Sequence, residues 1–294
     1  MEVTVLLTLI QPEAELYFPM ISHDELKLSD TTHLGIGAHP DDLEIIAIHG
    51  ILEAYDHPQK YFTGVTITDG RGAPRSGPFA NMSDDDLWRI RCNEQKKAAE
   101  IGHYHAQILL NYPSQAVKST SCQNVVTDIK NIITVTSPAV IYTHNLADKH
   151  DTHVGSALCV IQALRELNPQ PNLLKLYGCE TWRDLDWLTD NNKIALDVSN
   201  RPDLQEALLI VFESQIAGGK RYDLATIGRR QAHATFFQSH QTDISSRLVF
   251  AMNLTPLIDD PYMDIEHFVT LAINNFRTEV SARLTRLRIL TGQV

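Results

Sequence analysis

Several short apolar runs separated by helical patterns constrain this chain more than any other feature. HLGIGA (33–38), YFTGVTITDG (61–70), AQILLNY (106–112) and AVIYTHN (139–145) read as strands. DDLWRIRCNEQKKAAEIG (85–102) and CQNVVTDIKNIITV (122–135) read as helices lying between them. Strands that are apolar along their length, rather than at alternate positions, are buried on both faces. With helices between them they imply an α/β fold with a parallel sheet covered on each side. Such sheets hold ligands at the carboxyl ends of their strands.

Past residue 170, LLKLYG and KIALDVS read as strands. Two long helical patterns follow, PDLQEALLIVFESQIAG and RYDLATIGRRQAHATFFQSH, then the connection TPLIDDP (255–261). The tail, DIEHFVTLAINNFRTEVSARLTRLRIL, repeats its apolar residues at helical period. The expected organisation is one domain over residues 1–250 and a C-terminal helical extension, 251–294, packed on it. The tail either caps the domain or mediates self-association, so a homo-oligomer stays open. A net charge of -11 argues against a broad electrostatic grip on nucleic acid. No Lys/Arg run suits an anionic membrane surface, and no apolar stretch is long enough to span a bilayer. A small molecule is therefore the expected partner. The four cysteines show no C-x-x-C spacing, and Glu2 precedes the short N-terminal apolar run without a basic leader. A reducing, cytoplasmic setting is expected.

Chemistry concentrates where the first strand ends. AHPDDLE places His39, Asp41, Asp42 and Glu44 within six residues. Pro40 holds the residue before it extended and sets a turn, so neighbouring side chains converge. Clustered carboxylates are tolerable when a cation sits among them. The competing reading is that Asp41 and Asp42 cap the next helix; Glu44 suits capping or support better than ligation. A catalytic zinc site takes three protein ligands and an open position. The segment THNLADKHDTH, after the AVIYTHN strand, offers His144, His150 and His153, the last two spaced i, i+3.

Joined together, AHPDDLE and HDTH resemble the PIG-L/LmbE-like zinc-dependent deacetylases, with patterns A-H-P-D-D-x-E and H-x-x-H. VTITDGRGAPRSG resembles that family's Gly-rich loop, and RIRCNEQKKAAEIG its R-x-x-E helix. The resemblance spans about residues 33 to 240. It implies a Rossmann-like three-layer domain, with Zn2+ or another first-row divalent ion held by His39, Asp42 and His153. It further implies Asp41 as general base, His150 as oxyanion stabiliser, and hydrolysis of the N-acetyl group of an N-acetylglucosamine-type amino sugar. Asp148 or Asp151 is the expected partner that keeps His150 cationic. Arg75 matches an arginine of bacterial members that would hold an anionic aglycone, and Arg183 is a second candidate substrate contact. His233 reads as a surface or core residue. Arg91 and Glu94 read as an ion pair on one helical face or as substrate contacts. The chain departs from the pattern at His49, where a Gly-Gly pair is usual, at Asp148, where some members carry Tyr, and at Asp151 and Thr152 within HDTH.

Other chemistries lack their fingerprints. GIGAHP puts Pro40 where a dinucleotide loop needs its third glycine, and there is no P-loop and no G-x-S-x-G elbow. The remaining alternatives are a sugar-binding protein that has lost turnover, or an amidase acting on another N-acyl substrate.

Overall fold

The computed structural model describes residues 7–19, 27–119, 122–168 and 173–292, so the start of the N-terminal apolar run (1–6) lies outside the described residues. The expected strands form β2 (His33–Gly37), β3 (Phe62–Thr68), β4 (Ala106–Tyr112), β5 (Val140–His144), β6 (Lys175–Cys179) and β7 (Lys193–Asp197). Two further strands, β1 (Glu15–Tyr17) and β8 (Leu248–Asn253), complete an eight-stranded sheet of order β1-β4-β3-β2-β5-β6-β8-β7. The five central strands run parallel, and only β1, β8 and β7 join antiparallel. Strand order reverses between β2 and β5. In open sheets this switch point is where the crevice for a ligand opens.

Helices cover both faces. On one side lie α1 (Leu43–Ile46), α2 (Ile48–Ala54), α3 (Asp84–Ile101) and α6 (Pro202–Ile210); on the other lie α4 (Gln123–Thr136) and α5 (Asp151–Leu167). Each face has its own apolar core, one built on Leu43, Ile48, Ile51 and Phe62, the other on Ile36, Ile129, Val160 and Leu164. Full burial of such a side chain contributes roughly 1.5–3 kcal/mol. Ser83 caps α3 by accepting the Asp86 N–H, and Asp84, Asp85 and Asp86 suit its first turn.

Two paired glycines set how closely α1 approaches the sheet. Gly35 and Gly64 lie side by side on β2 and β3. A Cβ on Gly35 would come within 2.7 Å of Phe62 and 3.0 Å of the Ala47 methyl; one on Gly64 would meet Leu43 at 2.8 Å. The missing side chains let the 39–42 turn sit directly on the strand ends.

The expected helix over 202–218 is broken in two, α6 and α7 (Glu213–Ile216), because Phe212 leaves helical geometry (φ -82°, ψ 60°) to bury its ring. The last pattern forms α8 (Tyr222–Phe236). The segment 255–261, expected as a connection, contains the short helix α9 (Pro256–Asp259). Ala251–Asn253 still belong to the sheet through β8, and the tail is α10 (Ile265–Leu290), capped by Asp264. Its first turns pack on the core through Ile265, Phe268, Val269 and Ala272, while Phe276, Leu284 and Leu287 stay exposed.

Candidate metal centre and active site

The turn after β2 and the loop after β5 meet at the switch point. His39 follows β2, and the Asp42 N–H closes the turn onto the His39 carbonyl at 3.2 Å. Asp42 precedes α1 but does not cap it. Its carboxylate bends back to accept the His39 N–H at 2.7 Å, which replaces the capping reading. Glu44 does not cap either; it is fully buried and accepts from Gln95 Nε2 and the Tyr104 hydroxyl. Burial raises its pKa to about 7.

Three residues form a tight triangle in which Asp42 turns a different oxygen to each histidine: His39 Nδ1 to Asp42 Oδ2 3.2 Å, His153 Nε2 to Asp42 Oδ1 3.5 Å, and His153 Nε2 to His39 Nδ1 3.3 Å. Tetrahedral bonds of about 2.0–2.1 Å imply ligand–ligand edges of roughly 3.3 Å, so the donor set fits a zinc-sized divalent ion. The protonation states of His39 and Asp42 agree, while His153 must give up a proton to serve as a ligand. Burial depresses the His39 pKa to about 4, so His39 is a neutral imidazole. Asp42 is held well below the ordinary carboxylate range: His153 and His144 outweigh the burial that alone would raise it. His153 is shifted upward against the effect of burial, by the Asp42 charge and a hydrogen bond to Asp148. That bond, His153 Nδ1 to Asp148 Oδ2 at 3.4 Å, is a carboxylate–imidazole support that turns Nε2 toward His39 and Asp42.

His144 is the third histidine of the sequence reading, and it is differently engaged. Its Nε2 accepts the Ala38 N–H at 2.9 Å and its Nδ1 faces Thr181 Oγ1 at 3.0 Å. Its Nε2 also lies 3.3 Å from Asp42 Oδ2, so His144 braces the turn and, with Asp42 and His153, makes a second possible donor group. His150 stands at the start of α5 with its ring 4.5 Å from that of His153 and 5.1 Å from that of His39. Its Nδ1 is buried with no hydrogen-bond partner. The expected carboxylate partner of the His150 ring is not there: Asp151 is exposed, and Asp148 accepts from the His150 backbone N–H, the Trp182 N–H and His153. Burial and His153 lower the His150 pKa, so it stands as a neutral imidazole with one N–H to give.

Asp41 has φ 99°, a conformation that costs a residue with a side chain about 1–3 kcal/mol. Its carboxylate stays out of the donor triangle. Arg91 Nη2 lies 3.2 Å from Asp41 Oδ2 and also donates to the Pro40 carbonyl, while Nη1 donates to the Gly70 carbonyl. Burial raises the Asp41 pKa well above the usual value, with Arg91 opposing and Asp42 adding to the rise. Glu94, expected beside Arg91, turns instead to Ser214, accepting from its N–H and hydroxyl.

A cavity of about 520 Å³ opens over this cluster, lined by His39, Asp41, Asp42, His150 and His153. Its walls add residues the sequence reading missed: Lys118, Trp182, Tyr222 and Arg229. Tyr222 and Arg229 sit seven apart, two turns along α8, a spacing that marks one helix face but not what it faces. Burial, with Asp41 and Asp42 nearby, raises the Tyr222 pKa, so its hydroxyl remains a donor. The two arginines expected at the substrate do not reach the cavity. Arg75 donates to the Met82 and Arg71 carbonyls and pairs with Asp84, and Arg183 is exposed outside the lining. His233 is a core residue, paired with Glu180 at 2.9 Å and stacked on Phe250.

Residues 34–164 match the family model described as PIG-L: GlcNAc-PI de-N-acetylase. Curated proteins give no match in sequence. Among solved structures, N,N'-diacetylchitobiose deacetylase from Pyrococcus horikoshii superposes with a TM-score of 0.59 at 17% identity, covering 82% of this chain and 92% of that one. GalB, the 4-carboxy-2-hydroxymuconate hydratase from Pseudomonas putida KT2440, gives 0.59 at 16% identity over 76% and 95%. The A40926 pseudoaglycone deacetylase Dbv21 gives 0.56 at 15% over 76% and 97%. At these identities the likeness is one of fold.

Proposed function

Because residues 34–164 match the PIG-L family model, we propose that this protein is a metal-dependent N-deacetylase acting on an N-acetylated amino sugar or its conjugate. One observation carries the reading. A triangle of two imidazoles and a carboxylate lies on the floor of a cavity, with a second carboxylate, Asp41, beside it and outside it. His39, Asp42 and His153 would hold the ion, zinc being favoured by their two-nitrogen, one-oxygen donor set. A bound divalent ion would supply Lewis acidity and a water acidified to near neutral pH.

The chain's own groups then divide the work. Asp41 takes the proton of the attacking water and returns it to the departing amine. His150 offers an N–H toward the oxygen of the tetrahedral intermediate; one such donor is worth roughly 3 kcal/mol. Tyr222 supplies a hydroxyl from the facing wall. Asp148 keeps the His153 ring turned so that Nε2 faces His39 and Asp42, where the ion would be held. Trp182 and Lys118 line the space left for the rest of the substrate, a small molecule rather than a polymer surface. No helix among the described residues is long and apolar enough to cross a membrane. The test is acetate release from a panel of N-acetylglucosaminyl compounds, with and without chelator. Chelator-sensitive release supports the reading. Stoichiometric metal with no release from any N-acyl sugar overturns it and leaves a binding protein or another reaction on the same fold.

A further inference from the structure

Asp41 carries the proton chemistry in the reading above, yet it sits in a backbone conformation that an aspartate does not adopt by preference. Something must hold it there. The Asp41 N–H donates to Gln95 Oε1 at 3.2 Å. The other end of that amide, Nε2, donates to Glu44 Oε1 at 2.8 Å, and the Tyr104 hydroxyl donates to the same oxygen at 2.7 Å. Gln95, Glu44 and Tyr104 are all fully buried. We propose that Gln95 is a positioning residue that fixes the left-handed backbone of Asp41, and that Glu44 fixes which end of the Gln95 amide faces it.

The chemistry of the amide makes the arrangement one-way. Reversed, its NH2 would stand against the Asp41 N–H and its carbonyl against the Glu44 carboxyl, leaving two buried mismatches. Glu44, anchored by Tyr104, therefore sets the orientation. Gln95 also stands one turn beyond Arg91 on α3, so one helix holds both the backbone of Asp41 and its carboxylate. Without the acceptor, the Asp41 N–H would be buried and unpaired, and the turn would relax toward negative φ and carry the carboxylate away.

The proposal rests on Asp41 being the base, and the experiment separates the two claims. Gln95→Met should lower kcat by about 10²-fold, the scale of a misplacement near 1 Å, with KM and metal per chain unchanged. Glu44→Gln, which still offers an acceptor to Gln95, should keep the wild-type kcat, whereas Glu44→Leu should behave like Gln95→Met. Hydrogen exchange supplies the reading that does not depend on turnover: the Asp41 amide should exchange as slowly as the core strands in wild type, and at least about tenfold faster in Gln95→Met. An active wild type whose Gln95→Met variant keeps its kcat overturns the proposal. So does an Asp41 amide that exchanges freely in the wild type, a measurement that needs no variant to fold. If the wild type releases no acetate, the base assignment fails and the exchange data alone decide on the strap.

Discussion

Two buried histidine–carboxylate assemblies lie on the same sheet and come to opposite ends. At the β6–β8 side, Glu180 accepts from His233, the Leu185 N–H and the Phe250 N–H, and the His233 ring stacks on Phe250. Both Glu180 oxygens and His233 Nε2 meet partners there, and no cavity among those described opens on them. At the β2–β5 switch point, His39, Asp42 and His153 aim their acceptors at one another across 3.2–3.5 Å. Lone pairs that face lone pairs need a shared cation, whether a proton or a metal. Residue type is the same in both places; leftover coordinating capacity with access to solvent separates a site from a strut.

The sharpest break of this contrast is at the switch point. Asp41→Asn should lower kcat by about 10²–10⁴-fold, the range of general acid–base catalysis, while metal per chain stays at the wild-type value. Asp42→Ala should instead lose the metal and the activity together. Elemental analysis beside acetate release distinguishes them; an Asp41→Asn variant as active as wild type removes Asp41 from the chemistry.

The strut should respond in the other currency. His233→Leu strands the Glu180 carboxylate in the core, and removing one partner of a buried pair costs about 3–5 kcal/mol. Denaturant unfolding should register that loss, with metal stoichiometry unaltered. A His233→Leu protein of normal stability that bound less metal would reverse the assignment of the two assemblies.

How much of this contrast was legible in the sequence follows from distance along the chain. His39 to Asp42 and His150 to His153 are local clusters, and the neighbouring parallel strands β2 and β5 carry them to adjacent ends of the sheet, so the fold class and the meeting of the two clusters could be read. His144 could not be told from a ligand, because its Nε2 meets the backbone N–H of Ala38 and the carboxylate of Asp42, both more than a hundred residues away. Arg75 stays out of the cavity lining for a local reason: the loop that carries it offers Met82, Arg71 and Asp84 as partners. Tyr222 and Arg229 were hidden because an amphipathic pattern reports a buried face, not the identity of the surface it covers. β8 was missed although LVFAMN is a plain apolar run, because it sits between two helical patterns and pairs antiparallel with strands distant in sequence.

A smaller effect probes how the triangle is oriented. Asp148 touches no cavity ligand except through the His153 ring, so Asp148→Asn should weaken metal binding by about 10–100-fold, the usual scale for such outer partners. The loss appears in the dissociation constant, with stoichiometry intact at saturating metal. An unchanged constant would mean that His153 keeps its orientation by packing alone.

The mildest test is titration, and its sign follows from the two imidazoles. Burial leaves His39 with a pKa of about 4, so it binds no proton across the neutral range and competes with nothing. His153 is shifted upward by Asp42 and Asp148, so in the metal-free protein it gains a proton at a higher pH than an ordinary histidine. A metal ligand must be unprotonated. As pH falls through the raised His153 pKa, the proton and the ion compete for Nε2, and affinity should drop by up to about tenfold per pH unit, with one proton released for each ion bound. Above that pKa the affinity should level off. Calorimetry of zinc binding in buffers of different ionisation enthalpy counts the proton directly. In Asp148→Asn the pKa of His153 loses one of its supports, so the fall should begin at lower pH; a profile that does not move would show that Asp42 and Asp41 set the protonation of His153 without Asp148.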